Sequence, residues 1–131
     1  MDNTPERKTR VLLVEDEENA RTALVRILYS AGLSVVGTAD GEEALSRLAE
    51  EDDFDVVLTD LTLPGISGWD VAKKVKELSP GTGVIILSGW ELDDKEVKAH
   101  EGYVDGVMGK PVRVKAIVAL VNELANRRGK G

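Results

Sequence analysis

Acidic, hydroxyl and amine side chains follow four separate apolar runs of the sequence. Glu15 and Asp16 follow the first run, Asp60 ends a later one, and Ser88 and Lys110 follow two more. Carboxylate oxygens are ligands that Mg²⁺ accepts, while its remaining positions go to water and phosphate. Hydroxyl and ammonium groups can hold phosphoryl oxygens. The residue types therefore indicate a site for a divalent cation and a phosphoryl group.

Each of these residues also has an ordinary structural explanation. Glu15 and Asp16 could be acids at the start of a helix, which the helix dipole favours. Ser88 could cap a helix, and Lys110 could be a solvated lysine. Any one explanation is plausible by itself, but all of them together require unrelated features to coincide at one edge of a sheet. We therefore favour a shared site.

The stretch from Val56 to Gly68 organises the rest of the chain. Its apolar residues run without a charged break into Asp60, after which the chain turns through Pro64 and Gly65. A continuous Val- and Leu-rich run is typical of a parallel strand that is covered on both faces. Open α/β sheets place their chemistry beyond the carboxyl ends of such strands. Asp60 is therefore predicted to lie at the carboxyl end of a buried strand.

Apolar periodicity predicts five strands that alternate with five helices. Strands are predicted near residues 10–15, 34–38, 56–60, 84–88 and 104–108, and helices near 18–31, 41–51, 69–78 and 112–126, with a fifth, weaker helix after Ser88. Parallel strands need crossover connections, and these are almost always right-handed. The predicted fold is α/β, a three-layer (βα)5 doubly wound parallel sheet in which the less apolar second strand suits an edge.

The segment after Ser88 is the weakest helix prediction. Only Leu92, Val97 and Ala99 could form an apolar face there. We therefore expect the segment to dock weakly on the sheet and to be adjustable in position. His100, the only histidine of the chain, lies among charged residues in this segment. We interpret it as a surface residue without a role.

Length and composition exclude several classes of function. We expect one domain in a chain of 131 residues, and the net charge of −7 gives no general attraction to nucleic acid or to an anionic membrane. No apolar run approaches the ~20 residues of a membrane span, the N-terminus lacks the apolar core of a signal peptide, and there is no cysteine. We expect a cytoplasmic location, a disordered leader over residues 1–9, the domain over 10–126 and a basic tail over 127–131.

Four motifs together resemble the receiver domain of two-component response regulators. They are Glu15-Asp16, the stretch D-L-T-L-P-G-I-S-G that begins at Asp60, Ser88, and Lys110-Pro111. They occur in the order and roughly the spacing of that family, over about residues 10–126. The resemblance implies a flavodoxin-like sheet with strand order 2-1-3-4-5, which periodicity alone does not show.

The resemblance also implies how phosphorylation would proceed. Asp60 would be the nucleophile that accepts a phosphoryl group from a phosphohistidine of a sensor histidine kinase or a phosphotransfer protein. Asp16 would bind Mg²⁺ or Mn²⁺ directly and Glu15 mainly through water. Asp60 and the backbone carbonyl of Thr62 would complete the protein's ligands.

Three further residues take roles from the same resemblance. Lys110 would pair with Asp60 at rest and with the phosphoryl group afterwards, and Ser88 would donate a hydrogen bond to a phosphoryl oxygen. The bond between Lys110 and Pro111 would be cis, as in the family, and would aim the lysine inward. Partners would be proteins, with no direct binding to nucleic acid or membrane, and a weak dimer is left open.

Two positions bear on how the domain would signal. Receivers usually carry Tyr or Phe three residues before the lysine of Lys-Pro, whereas this chain has Val107 there, and Tyr103 is out of register to replace it. Coupling would then run through other changes in the loop after Ser88, or the module would be a phosphate sink or relay. Trp90, two residues after Ser88, either overhangs the site or is a partly exposed hydrophobe.

Several functions compete with the leading one. We expect a signalling module that gains and loses its own phosphoryl group and is not a turnover enzyme. A degenerate receiver that binds partners without phosphorylation is one alternative. A hydrolase with an aspartyl-phosphate intermediate is a remote one, because Thr62 leaves no second acid two residues after Asp60. The chain could be a single-domain regulator, or a receiver cut from a hybrid kinase or multidomain regulator.

Overall fold

The computed structural model describes residues 7–51 and 53–130, the last two of these without their side chains. Within these residues five strands alternate with five helices. The strands are β1 (Arg10–Val14), β2 (Ser34–Thr38), β3 (Val56–Asp60), β4 (Gly83–Ser88) and β5 (Gly106–Gly109), and the helices are α1 (Glu18–Ser30), α2 (Gly41–Glu50), α3 (Gly68–Leu78), α4 (Asp94–Ala99) and α5 (Val114–Lys130).

The five strands form one sheet, and each neighbouring pair is parallel. Their order is β2-β1-β3-β4-β5, with β2 at an edge. Both the α/β fold and the predicted strand order are therefore confirmed. Because Val14 pairs with Thr59 and Asp60 with Leu87, the strands end at one edge of the sheet. The residues that follow them are consequently brought close together.

Alternate residues of the strands fill two apolar cores, one on each face of the sheet. In β1, Val11 and Leu13 belong to one core and Leu12 and Val14 to the other. The first core is closed by buried residues of α1 and α5, and the second by buried residues of α2 and α3. Burial on both faces explains why the central strands are apolar at nearly every position.

Side-chain caps fix where four of the helices begin. Glu17, Asp40, Ser67 and Asp93 precede α1, α2, α3 and α4, and each side chain accepts a hydrogen bond from a backbone N–H of the first turn. Such a bond satisfies a donor that has no partner inside the helix, and typically contributes ~1 kcal/mol. The entry point of each capped helix is thus set locally by the sequence.

Helix α5 differs from its predicted bounds, since it starts later and continues to Lys130 through residues that were predicted to be a basic tail. Arg128 explains the extension, because its guanidinium bonds the carbonyl oxygen of Phe54 and lies 3.8 Å from Asp55 Oδ1. Arg7 pairs with the other oxygen of Asp55 at 3.0 Å. The predicted leader falls mostly on residues 1–6, which lie outside the described residues.

Helix α4 is weakly docked, as its sequence suggested, because it has six residues and buries none of them. His100 was interpreted as a surface residue, but it is only partly exposed and has aromatic neighbours that the sequence analysis did not predict. Its ring lies 3.9 Å from the ring of Trp69, centre to centre, and 5.7 Å from that of Tyr103. Trp69 lies on α3, far from His100 in the sequence, whereas Tyr103 is only three residues away.

Among the described residues, none of the helices combines the length and the apolar character that crossing a membrane requires.

The start of α3 is packed against the end of β3 so closely that only glycine fits. A methyl group on Gly68 would lie 2.3 Å from the carbonyl oxygen of Asp60 and 2.8 Å from Leu61 Cα. We predict that Gly68→Ala lowers the free energy of unfolding by about 1–3 kcal/mol, as overpacking does elsewhere. Gly102→Ala is the control, since a methyl group there would contact nothing within 4 Å. Urea unfolding followed by circular dichroism measures both, and equal stability of the two variants would contradict the prediction.

Candidate functional site

One cavity at the carboxyl edge of the sheet collects most of the predicted site residues. Its volume is about 330 Å³. Its lining includes the predicted residues Glu15, Asp16, Asp60, Thr62, Trp90 and Lys110, together with Glu17, Ala20, Leu61, Leu87 and Gly89. The three acids and the lysine, which lie far apart in the sequence, therefore share one space.

The three acids lie together because β1 and β3 are neighbours. Glu15 and Asp16 directly follow β1, and Asp60 ends β3. Each of the three offers a carboxylate oxygen within 4.8 Å of those of the other two. Glu15 and Asp60 are each only 4% exposed, whereas Asp16 is exposed to solvent. Repulsion between carboxylates is consequently strongest for the buried pair, Glu15 and Asp60.

Lys110 reaches across the end of β4 to this pair. Its ammonium nitrogen lies 2.6 Å from Asp60 Oδ1 and 3.1 Å from Glu15 Oε1. The contact with Glu15 is a hydrogen bond. The contact with Asp60 is a close ion pair to the buried Oδ1. One cation thus compensates two acids.

This arrangement opposes the ionisation of Asp60. Burial, followed by the neighbouring carboxyl of Glu15, raises the pKa of Asp60 to about 7, although Lys110 acts in the opposite direction. Removing a carboxylate from water disfavours its charged form, and a second acid nearby adds to that effect. Near neutral pH Asp60 is therefore close to the midpoint of its titration.

Glu15 and Lys110 shift in the directions that favour their charged forms. Burial alone would raise the pKa of Glu15, but hydrogen bonds to Asp60, to the backbone N–H of Glu17 and to Lys110 hold it below its usual value. Burial alone would lower the pKa of Lys110, but the two carboxylates raise it. Of the two buried acids, Glu15 is therefore firmly ionised and Asp60 is the one that titrates.

Two supporting residues were missed by the sequence analysis. The backbone N–H of Glu17 donates to Glu15 Oε2 at 3.1 Å, while the Glu17 side chain caps α1. Arg21 on α1 donates to the carbonyl oxygen of Glu15 at 2.9 Å. The acidic run from Glu15 to Glu18 indicated that an acid caps the helix. It did not indicate which acid caps α1 and which faces the cavity.

Ser88 is buried at the end of β4, yet its hydroxyl does not face the acids. Its Oγ donates a hydrogen bond to the carbonyl oxygen of Trp90 at 2.6 Å and accepts one from the Trp90 N–H at 3.2 Å. Ser88 lines a second, larger cleft of about 700 Å³, which Val107 also borders. Its role at a phosphoryl oxygen stays a prediction, and the hydroxyl would have to turn to fulfil it.

Pro111 follows Lys110 through a cis peptide bond, as the resemblance implied. It lies outside the lining of the acidic cavity and borders a separate depression together with Val107 and Lys110. Pro111 and Val107 are therefore neighbours of the site and do not line it.

The donor set fits a hard divalent cation. Its three acids each offer a carboxylate oxygen within 4.8 Å of those of the other two, and the buried pair has only Lys110 to compensate two carboxylates. Mg²⁺ and Mn²⁺ prefer carboxylate and carbonyl oxygens to nitrogen or sulfur. Glu15, Asp16, Asp60 and Thr62 are thus the residues that could hold such an ion in this cavity.

The sequence of residues 11–122 matches the family model of the response regulator receiver domain. The chain belongs to that family. The match includes every residue that lines the acidic cavity.

Relatives with curated names support the assignment. The cell cycle transcriptional regulator CtrA of Caulobacter vibrioides is 36% identical over 122 residues, which are 93% of this chain and 52% of CtrA. The autoinducer 1 sensor kinase/phosphatase LuxN of Vibrio harveyi is 29% identical over 117 residues, which are 89% of this chain and 14% of LuxN. The receiver domain thus spans about half of CtrA and a small part of LuxN.

Solved structures agree with the fold. A response regulator receiver domain protein from Clostridium thermocellum superimposes with a TM-score of 0.86 at 27% sequence identity, and the match covers 92% of this chain and 97% of that one.

The raised pKa of Asp60 predicts a pH-dependent instability. Because the folded pKa is about 7 and the reference value is 3.8, stability is lost as pH rises from about 4 through 7. Asp60→Asn removes the charge, so we expect it to be more stable than the parent by about 1–3 kcal/mol at pH 8 in EDTA. The gain should be clearly smaller at pH 5 and should vanish only below about pH 4, where Asp60 is neutral in both the folded and the unfolded state.

Thermal unfolding at both pH values measures this difference, with Asp16→Asn as the matched control. Asp16 is exposed, so solvent screens its charge and its removal should have a smaller effect. A gain for Asp60→Asn that does not change with pH would show that the titration of Asp60 is not its cause.

Proposed function

We propose that this receiver domain accepts a phosphoryl group on Asp60 in a reaction that depends on Mg²⁺, and signals by changing its contacts with other proteins. The observation that carries the proposal is the environment of Asp60. Its buried carboxylate lies beside two further acids and forms an ion pair with Lys110, at the wall of a cavity open to solvent.

The transfer needs one carboxylate and one compensating cation from the chain. An oxygen of the ionised Asp60 carboxylate forms a bond to phosphorus while the bond between phosphorus and the donor's histidine nitrogen breaks, and the electron pair remains on that nitrogen. The ammonium nitrogen of Lys110 lies 2.6 Å from Asp60 Oδ1. It can therefore pair with the phosphoryl oxygens when they carry the negative charge. Catalysis of such transfers is mainly positioning and electrostatic stabilisation.

Glu15, Asp16, Asp60 and the Thr62 carbonyl are the groups proposed to hold the metal ion. When bound, Mg²⁺ supplies positive charge that neutralises phosphoryl oxygens and favours the ionised carboxylates. Glu15 already engages Lys110 and the Glu17 N–H, so its position is fixed before any ion enters. Asp16 is exposed at the mouth of the cavity and has the most freedom to complete the coordination.

The donor we propose is a sensor histidine kinase or a phosphotransfer protein, because phosphohistidine is the donor that the family uses. The sequence favours a signalling module over a turnover enzyme, since the position two residues after Asp60 holds Thr62 and not a second acid. A cytoplasmic location, a weak dimer and the nature of any attached domain stay predictions.

Phosphorylation can be tested with a small donor. Acetyl phosphate with Mg²⁺ should add one phosphoryl group to the parent, detected by intact-protein mass spectrometry, and Asp60→Asn should abolish the adduct because an amide forms no acyl phosphate. Glu77→Gln, an exposed position on α3, is the control and should label like the parent. Undiminished labelling of Asp60→Asn would place the nucleophile elsewhere.

Metal binding can be tested without a phosphodonor. An ion that binds only the folded state at ~100 times its dissociation constant stabilises a protein by about 2.7 kcal/mol. We expect a shift of that size in the parent when EDTA is replaced by saturating Mg²⁺, and a much smaller shift in Asp16→Asn. The Glu77→Gln control should keep the full shift. Equal Mg²⁺ shifts in the parent and Asp16→Asn would remove Asp16 from the metal site.

A further inference from the structure

Ser88 connects the phosphorylation site to the backbone of Trp90. Its hydroxyl donates to the Trp90 carbonyl oxygen at 2.6 Å and accepts from the Trp90 N–H at 3.2 Å. Both backbone polar groups of Trp90 are therefore held by one side chain. The position of Trp90 consequently depends on the orientation of the Ser88 hydroxyl.

A hydroxyl group has one hydrogen to donate. If Ser88 donates that hydrogen to a phosphoryl oxygen on Asp60, it can no longer donate it to the Trp90 carbonyl oxygen. Ser88 and Asp60 end neighbouring strands, since Asp60 pairs with Leu87, so a turn of the hydroxyl toward Asp60 is a local movement. Phosphorylation and the present position of the Trp90 backbone therefore compete for the same hydrogen.

Trp90 has a space to move into. Its side chain is 55% exposed, which leaves much of the apolar surface of an indole in water. Trp90 borders both the acidic cavity and the cleft of about 700 Å³ beside Ser88. Clefts of ~300–1,000 Å³ hold drug-sized molecules, so the volume is sufficient for an indole.

The walls of this cleft suit an aromatic ring. They include the apolar side chains of Leu92, Val97, Val104 and Val107. Val107 stands where most receivers carry an aromatic residue, and its side chain occupies less of the cleft than an aromatic side chain would. Burial of the indole against these residues would remove apolar surface from water, which is favourable.

The chain around the cleft can adjust. Gly89 separates Ser88 from Trp90 and has nothing within 4 Å of the position where a side chain would begin, so the backbone there has room and conformational freedom. On the other side of the cleft, α4 buries none of its residues. Movement of the loop therefore breaks few packing contacts.

We propose that Trp90 is the moving residue of this receiver's switch: when Ser88 turns to the phosphoryl group, the Trp90 indole passes from solvent into the cleft beside Val107. The inference rests on the proposed function, because it needs a phosphoryl group on Asp60. In this proposal Trp90, which lies in the loop after β4, takes the role of the aromatic residue that position 107 lacks. The output of phosphorylation is then a change in the surface formed by that loop and α4.

The experiment follows the solvent exposure of Trp90. In Trp69→Phe protein, Trp90 is the remaining tryptophan, and acrylamide quenching of its fluorescence reports its exposure. Addition of Mg²⁺ with beryllofluoride, a phosphoryl mimic, should lower the quenching constant about two-fold or more, because the indole leaves solvent. Because Trp69 contacts His100, the same comparison is repeated by ¹⁹F NMR on 5-fluorotryptophan-labelled protein with both tryptophans present.

Two variants test the route of the coupling. Val107→Phe fills the floor of the cleft, so Trp90 should stay exposed with beryllofluoride while labelling of Asp60 by acetyl phosphate continues. Ser88→Ala removes both hydrogen bonds to Trp90, so the indole should be partly protected even without the phosphoryl mimic. Both results together would support the switch.

The failures of the two proposals can be told apart. If Asp60 is labelled but Trp90 stays equally exposed with beryllofluoride, the switch is overturned and the phosphorylation function stands. If Trp90 becomes protected equally in Val107→Phe, the indole does not enter this cleft, and the switch is overturned as stated. If Asp60 is not labelled at all, the proposed function fails and the switch fails with it.

Discussion

The repulsion between two buried carboxylates, Glu15 and Asp60, is the constraint on which the rest of the site depends. Two like charges at ~4 Å interact by up to about 4 kcal/mol at an effective dielectric of ~20, so the fold must compensate them or keep one neutral. It does both: Lys110 lies between them, and the raised pKa of Asp60 lets that residue take up a proton. The same unmet demand for positive charge supports the proposed binding of a divalent cation.

The apolar sheet is what holds these charges in place. Strands β1 and β3 are buried on both faces and set the separation of Glu15 from Asp60 through their register. Gly68 packs closely against the backbone carbonyl of Asp60, which helps to hold the end of β3 in position. Buried apolar area therefore stabilises the fold sufficiently for a locally unfavourable arrangement of charge to persist at its edge, which is common where function requires it.

Stability is unevenly distributed around the site, and the distribution suits a switch. The acids rest on central strands, whereas Ser88 and Trp90 face β5, which is only partly buried, and α4, which buries nothing. Regions with few buried contacts open at the lowest free-energy cost. A change at Asp60 is thus expected to be transmitted toward α4 and β5. This receiver has valine at position 107, where most receivers have an aromatic residue, and the proposed switch therefore uses Trp90 of the neighbouring loop.

The sequence by itself determined the order of elements, the buried character of β1, β3 and β4, and the gathering of Glu15, Asp16, Asp60 and Lys110, because parallel strands of this apolar pattern must end at one edge. Resemblance to receivers added the strand order. Only the tertiary structure decided three other features: that Lys110 bonds Glu15 as well as Asp60, that the Ser88 hydroxyl is turned to Trp90, and that His100 packs between Trp69 and Tyr103. Each depends on the direction of a side chain within a loop or on contacts between segments that are distant in the sequence. Neither the apolar periodicity of the sequence nor the spacing of its motifs determines these.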